Sequence, residues 1–110
     1  SEEVSQWLEF NVGGKVFATT RSTILSIPDT MLNKLCDPDS GFSAQQDSKG
    51  RILIDRDPEY FRVVLNYLRT GSLYMDGKIN PAGVLEEARF YQILPLEEEV
   101  ITHMNTSQIT

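Results

Sequence analysis

The segment Asp57-Pro58-Glu59 leaves the chain little choice: it opens a helix. An aspartate carboxylate accepts a bond from an orphan N–H of the first turn, and a proline in that turn has no N–H to waste. A following glutamate sits at the positive end of the helix dipole. Phe61, Val64, Leu65 and Leu68 then recur at helical spacing, and Gly71 supplies a stop. The spacing predicts a helix over 58–69 with one apolar stripe. Such a stripe must be buried, so the rest of the chain has to build a surface against it.

Trp7 to Val12 and Val16 to Thr20 are two β-prone runs around Gly13-Gly14, which reads as a hairpin, because a two-residue turn needs positive φ. Thr20 or Ser22 can cap a short helix over 22–27, stopped at Pro28. A second short helix is expected from Asp29 or Thr30 to Leu35. Residues 37–49 form a polar loop and Arg51 to Ile54 a third strand. Residues 72–75 read as a fourth strand or edge segment. Asn80-Pro81 repeats the cap-plus-proline signal for a helix using Val84, Leu85, Ala88 and Tyr91 or Phe90. Leu94-Pro95 breaks it, and a last helix over 96–104 carries Leu96, Val100 and Met104. Strands and helices mix without βαβ alternation, so the fold class is α+β: a small mixed sheet flanked by a cluster of helices in a single domain over 7–104. Residues 1–6 and 105–110 read as flexible tails.

With 110 residues, the chain carries 10 Lys+Arg against 16 Asp+Glu, a net charge of −6, and 40% of it is hydrophobic. The length and apolar fraction fit one globular domain. The acidic balance opposes a sequence-independent grip on nucleic acid, and the aromatics are not interleaved with basic residues. No apolar run approaches the ~20 residues of a bilayer span, so no membrane insertion is expected. The acidic start, Ser1-Glu2-Glu3, has none of the basic-then-apolar shape of a secretory leader, and Cys36 is single. Both point to a reducing compartment.

Catalytic chemistry has few candidates. His103 is the one histidine and sits near a chain end, and Cys36 has no His or Cys partner nearby in sequence. Together they cannot make a four-ligand structural zinc site in one chain. Gly13-Gly14-Lys15 lacks the spacing of a phosphate loop and fits a turn. Glu86-Glu87 and Glu97-Glu98-Glu99 have no calcium-loop spacing and read as solvated helix faces. No enzyme activity, metal or cofactor is expected. The unusual feature is Asp55-Arg56-Asp57, three charges where a strand hands over to a core helix. Asp57 is a cap; Asp55 and Arg56 have an ordinary surface turn or a polar subunit interface as alternatives.

Six motifs in order carry a resemblance to a known family. They are Phe10-Asn11-Val12-Gly13-Gly14, Phe17-Ala18-Thr19-Thr20-Arg21-Ser22-Thr23 and Pro28-Asp29-Thr30-Met31-Leu32, followed by residues 54–61 (IDRDPEYF), 64–71 (VLNYLRTG) and 84–91 (VLEEARFY). The chain resembles the BTB/POZ domain of the potassium-channel tetramerisation type over about residues 7–102. It is most similar to the soluble KCTD proteins, because the late His/Cys zinc signature of the channel version is missing.

The resemblance implies a module that self-associates into closed rings, fivefold favoured over fourfold. It also implies the cullin-3-binding part of a ubiquitin-ligase substrate adaptor, in the cytoplasm or alternatively the nucleus, with the substrate protein held by other regions. The alternative is an oligomerisation domain of a channel, receptor-associated or regulatory protein without cullin-3. On the family pattern one ring face carries Asn11, Thr19, Arg21 and Thr23, and the other Asp55, Arg56 and Asp57. The cullin surface draws on Phe90, Met31, Asn33 and Lys34.

Overall fold

The helix that opens at Asp57 is the third of five in the structure, a computed structural model that describes residues 6–107. Of the expected tails, residues 1–5 and 108–110 lie outside the described residues. The elements run β1 (Trp7–Val12), β2 (Lys15–Thr20), α1 (Arg21–Ile24), α2 (Met31–Cys36), β3 (Ile52–Ile54), α3 (Pro58–Thr70), α4 (Pro81–Phe90) and α5 (Leu94–Ser107). The fold is α+β, as the element order predicts.

The sheet has strand order β2-β1-β3, with β1 antiparallel to β2 and parallel to β3. Alternation along β1 buries Phe10 and Val12 and turns Trp7 and Glu9 to solvent. The buried face receives α3, whose Phe61 lies at the centre of an aromatic cluster. Its ring centroid is 5.0 Å from Phe17, 5.9 Å from Phe10 and 5.4 Å from Tyr91. These tilted and edge-on pairings suit ring quadrupoles, and Phe61 thereby joins β1 and β2 to the end of α4. Leu96 and Val100 of α5 complete the core, with Met104 packed at its margin.

Four helix starts are capped by side chains within the described residues. Thr20 Oγ1 accepts from Thr23 N–H, Thr30 Oγ1 from Asn33 N–H, Asp57 Oδ1 from Glu59 N–H and Asn80 Oδ1 from Ala82 N–H. At the other end of α3, Gly71 adopts φ 77° and donates its N–H to Tyr67 C=O (2.8 Å), a left-handed cap.

Three expectations about elements are corrected. Residues 72–76 form no strand: Leu73 and Met75 pack on the core without joining the ladder. The short helix after Thr20 ends at Ile24 rather than 27, where Asn33 Nδ2 takes the Ile24 carbonyl (2.7 Å) and gives the chain a way out of the helix. Pro95 does not break a helix; it lies in the first turn of α5, where no N–H is needed. The break comes at Gln92, left-handed at φ 59°. Ile93 N–H reaches back to Ala88 C=O and Gln92 N–H to Arg89 C=O (2.9 and 3.2 Å), a Schellman closure with glutamine in the usual glycine position.

Candidate functional site

Two regions gather the residues singled out by the sequence. The first is built around the hairpin turn. Asn11 Oδ1 accepts from Gly14 N–H (2.9 Å), and Gly13 N–H donates to Ile54 C=O (2.9 Å), so the turn is bound to the end of β3. Gly13 holds φ 56°, and a Cβ there would lie 2.4 Å from the Arg56 carbonyl oxygen and 3.0 Å from Pro58 Cδ. Only glycine permits that conformation and that approach together. Two motifs about forty residues apart in sequence meet here backbone to backbone.

The Asp55-Arg56-Asp57 triplet divides its labour. Asp57 caps α3. Arg56 turns inward: its guanidinium forms a two-pronged pair with Glu87 of α4, Nε to Oε1 at 3.1 Å and Nη2 to Oε2. The Glu87 side chain is only 5% exposed. A buried carboxylate of this kind needs a charged, well-oriented partner, and the arginine fork provides it. The Glu87 bonds raise the Arg56 pKa above its already high ordinary value. The Arg56 guanidinium also lies 4.1 Å from the Phe90 ring centroid, and Phe90 stands edge-on to Tyr91. Burial first, and Glu87 second, push the Tyr91 hydroxyl well above the ordinary tyrosine range. Asp55 faces solvent, as does the capping Asp57.

The other residues placed in the ring faces lie elsewhere. Thr23 and the half-buried Arg21 lie at the far end of β2, where Thr20 Oγ1 and Thr23 Oγ1 are 3.1 Å apart. Six residues of strand at ~3.3 Å each separate this end from the turn. Asn11 therefore sits beside the Asp55 end and not with Arg21. Thr19 is 2% exposed and offers a neighbour almost no surface.

The second region is built on α2. Met31 N–H donates to Tyr91 C=O (2.9 Å), which docks the start of α2 on the end of α4 and brings Met31 to the helix that carries Phe90. Lys34 Nζ approaches Gln92 Oε1 (3.4 Å) and lies 5.8 Å from the Phe42 ring centroid. Asn33, expected as a contact residue, uses its amide on Ile24 within the chain. Sequence reasoning missed Phe42, which is 54% exposed, and Gln92. Phe42 could have been noticed as the lone aromatic of a polar loop; nothing in sequence marks the left-handed Gln92. Beside Lys34 a groove of about 610 Å³ is lined by Leu8, Arg21, Leu25, Asn33 and Cys36 among others. Burial pushes the Cys36 thiol up to about 11, with Arg21 offsetting part of the rise, which favours the protonated thiol at neutral pH.

Among the described residues no group of three or more His, Cys, Asp or Glu could hold a metal, and no helix is long and apolar enough to cross a membrane. His103 is exposed on α5 and Cys36 is half-buried on α2. The geometry offers contact surfaces, with the buried Glu87 paired to Arg56.

The BTB/POZ domain family matches residues 8–101. The chain belongs to that family. Its BTB/POZ domain is of the KCTD type. It is 48% identical over 93 residues to the BTB/POZ domain-containing protein KCTD5 of Homo sapiens, covering 84% of this chain and 40% of that protein. To human KCTD9 it is 47% identical over 105 residues, 94% of this chain and 27% of the relative. To human KCTD17 it is 42% identical over 105 residues, 96% and 33%. The chain thus spans less than half the length of these relatives. The BTB/POZ domain is a protein-interaction and oligomerisation module, and this chain is one.

Proposed function

We propose that this BTB/POZ domain assembles into a closed homo-oligomer, a pentamer in preference to a tetramer, and presents cullin-3 with a surface centred on α2 and the end of α4. In this reading it is the cullin-facing piece of a cytoplasmic ubiquitin-ligase adaptor whose substrate is held by other regions. The observation that supports the reading is the separation of opposite charges at the two ends of the hairpin. Arg21 stands at one end and solvent-facing Asp55 beside the other. A heterologous contact needs two different patches on one subunit, and a rotation that closes makes a ring. Such charge pairs set register more than they stabilise. Arg56 serves this arrangement through Glu87, by fixing the turn that carries Asp55.

Asp55→Lys or Arg21→Glu is expected to lower the solution mass from the ring to single subunits at tens of micromolar, with an unchanged circular dichroism spectrum. A mass identical to wild type removes these residues from the interface. For the partner surface, Lys34→Glu and Phe42→Ala are expected to weaken binding of the cullin-3 N-terminal domain by about tenfold or more, ~1.4 kcal/mol, in calorimetry. Phe90→Ala adds the loss of the ring beneath Arg56. Wild-type affinity in all three variants, or no binding by the wild type, rejects the cullin role and leaves an oligomerisation module without it.

A further inference from the structure

β2 lies at the edge of the sheet, and its pairing dictates which of its backbone groups face outward. The hairpin closes between Val12 and Lys15, and at its far end Arg21 N–H donates to Gln6 C=O (2.8 Å). Antiparallel pairs alternate between those that exchange hydrogen bonds and those that do not. Leu8–Thr19, Phe10–Phe17 and Val12–Lys15 belong to the first kind, Glu9–Ala18 and Asn11–Val16 to the second. The amides and carbonyls of Val16 and Ala18 therefore point away from β1, to the open side of the sheet.

The two edges are treated differently. Beyond β3 the chain covers its own edge: Leu53 N–H donates to Gln45 C=O (2.9 Å) and Asp47 N–H to Arg51 C=O (3.0 Å). Along β2 the side chain of Arg69 intervenes. Arg69 of α3 donates from Nη2 to Ala18 C=O (2.8 Å), and from Nη1 to Asn66 Oδ1 (3.1 Å), which holds the fork in place from one turn back.

We propose that Arg69 is an autoinhibitory contact that stops the β2 edge from pairing with the β2 edge of a second copy of this chain. The edge is self-complementary. An antiparallel pair centred on Ala18 sets Ala18 opposite Ala18 and Val16 opposite Thr20, joining outward-pointing groups on both strands in a two-fold contact. Alanine at the two-fold brings no bulk to keep the strands apart. The carbonyl at that centre is the one Arg69 occupies, so the arginine contact and strand pairing exclude each other. Native sheets blunt open edges with charged side chains for this reason. The inference is independent of ring size and of cullin-3, because its readout is a ratio to the wild-type mass.

The test is light scattering of Arg69→Ala over a hundredfold concentration range beside wild type, with Arg69→Met, which keeps the apolar stem, as the second variant should the alanine form not fold. The expected result is a species of about twice the wild-type mass. It should return to the wild-type mass when Ala18→Lys is added, since exposed Ala18 can carry a lysine that repels its twin across the two-fold. Wild-type mass for Arg69→Ala and Arg69→Met at every concentration overturns the proposal. So does a larger species that Ala18→Lys leaves in place, which would be association through some other surface.

Discussion

The hairpin corner and the α2 region differ in what their side chains do. At the corner almost every motif residue is engaged within the subunit: Asn11 on its own turn, Gly13 against Arg56, Arg56 on Glu87 and Phe90, Asp57 on α3. Around α2 the contacts to the rest of the chain are backbone bonds, the Asn33 amide on Ile24, one lysine and the buried Leu32, while Phe42 stands exposed and Asp29 and Gln92 take left-handed conformations. Dense motifs therefore mark architecture, and the region with weaker sequence signals has more side chain to offer a partner. Positive φ outside glycine costs of order 1 kcal/mol, and here it occurs at Asp29, just before α2, and at Gln92, beside Lys34.

The contrast can be broken at Glu87. Glu87→Ala leaves Arg56 without its carboxylate above Phe90, and the corner is expected to lose about 2–4 kcal/mol, a fall in Tm of about 10 °C or more by calorimetry. A loss below ~1 kcal/mol would show that the pair is incidental to the fold. Gly13→Ala is expected to cost less, about 1–3 kcal/mol, from the positive φ and the approach to the Arg56 carbonyl. Denaturant titration checks it through the midpoint at constant slope.

On the α2 side the expected effect is smaller and is read through pH. The Cys36 thiol is raised from 9.0 to about 11 by burial. Below pH 9 it is protonated folded or unfolded. As pH rises from about 9 towards 11 the unfolded chain gives up the proton first, so this contribution to stability is lost with rising pH. Wild type should therefore lose Tm faster than Cys36→Val across that window. Iodoacetamide at neutral pH should label the folded thiol about a hundredfold more slowly than the unfolded one. Equal rates would mean that α2 detaches readily, and the contrast between the two regions would then be one of mobility.

Local signals in the sequence carried the elements well where the chemistry is local. The Asp57 and Asn80 caps, the Gly13-Gly14 turn and the stripe from Phe61 to Leu68 depend on neighbours a few residues away, and each forms as read. Leu73 and Met75 alternate like a strand, yet what they meet is core without a ladder, a tertiary fact no local pattern encodes. The pairing of Arg56 with Glu87 was equally hidden, because it joins positions 31 residues apart through the packing of α4 on α3. Asp55-Arg56-Asp57 announced that something charged happens there, without saying that its arginine faces inward.

The parallel pairing of β1 with β3 has a consequence for the order in which the molecule forms. Phe10 waits for Ile52 as its lateral neighbour, and everything between them must be made and folded back first. Closing so long a loop is entropically slow compared with zipping the hairpin or winding α3. A chain emerging from the ribosome therefore holds a two-stranded ribbon with one greasy side uncovered until Ile54 and the helix behind it arrive. During that interval the nascent domain is exposed to chaperones and to misassociation.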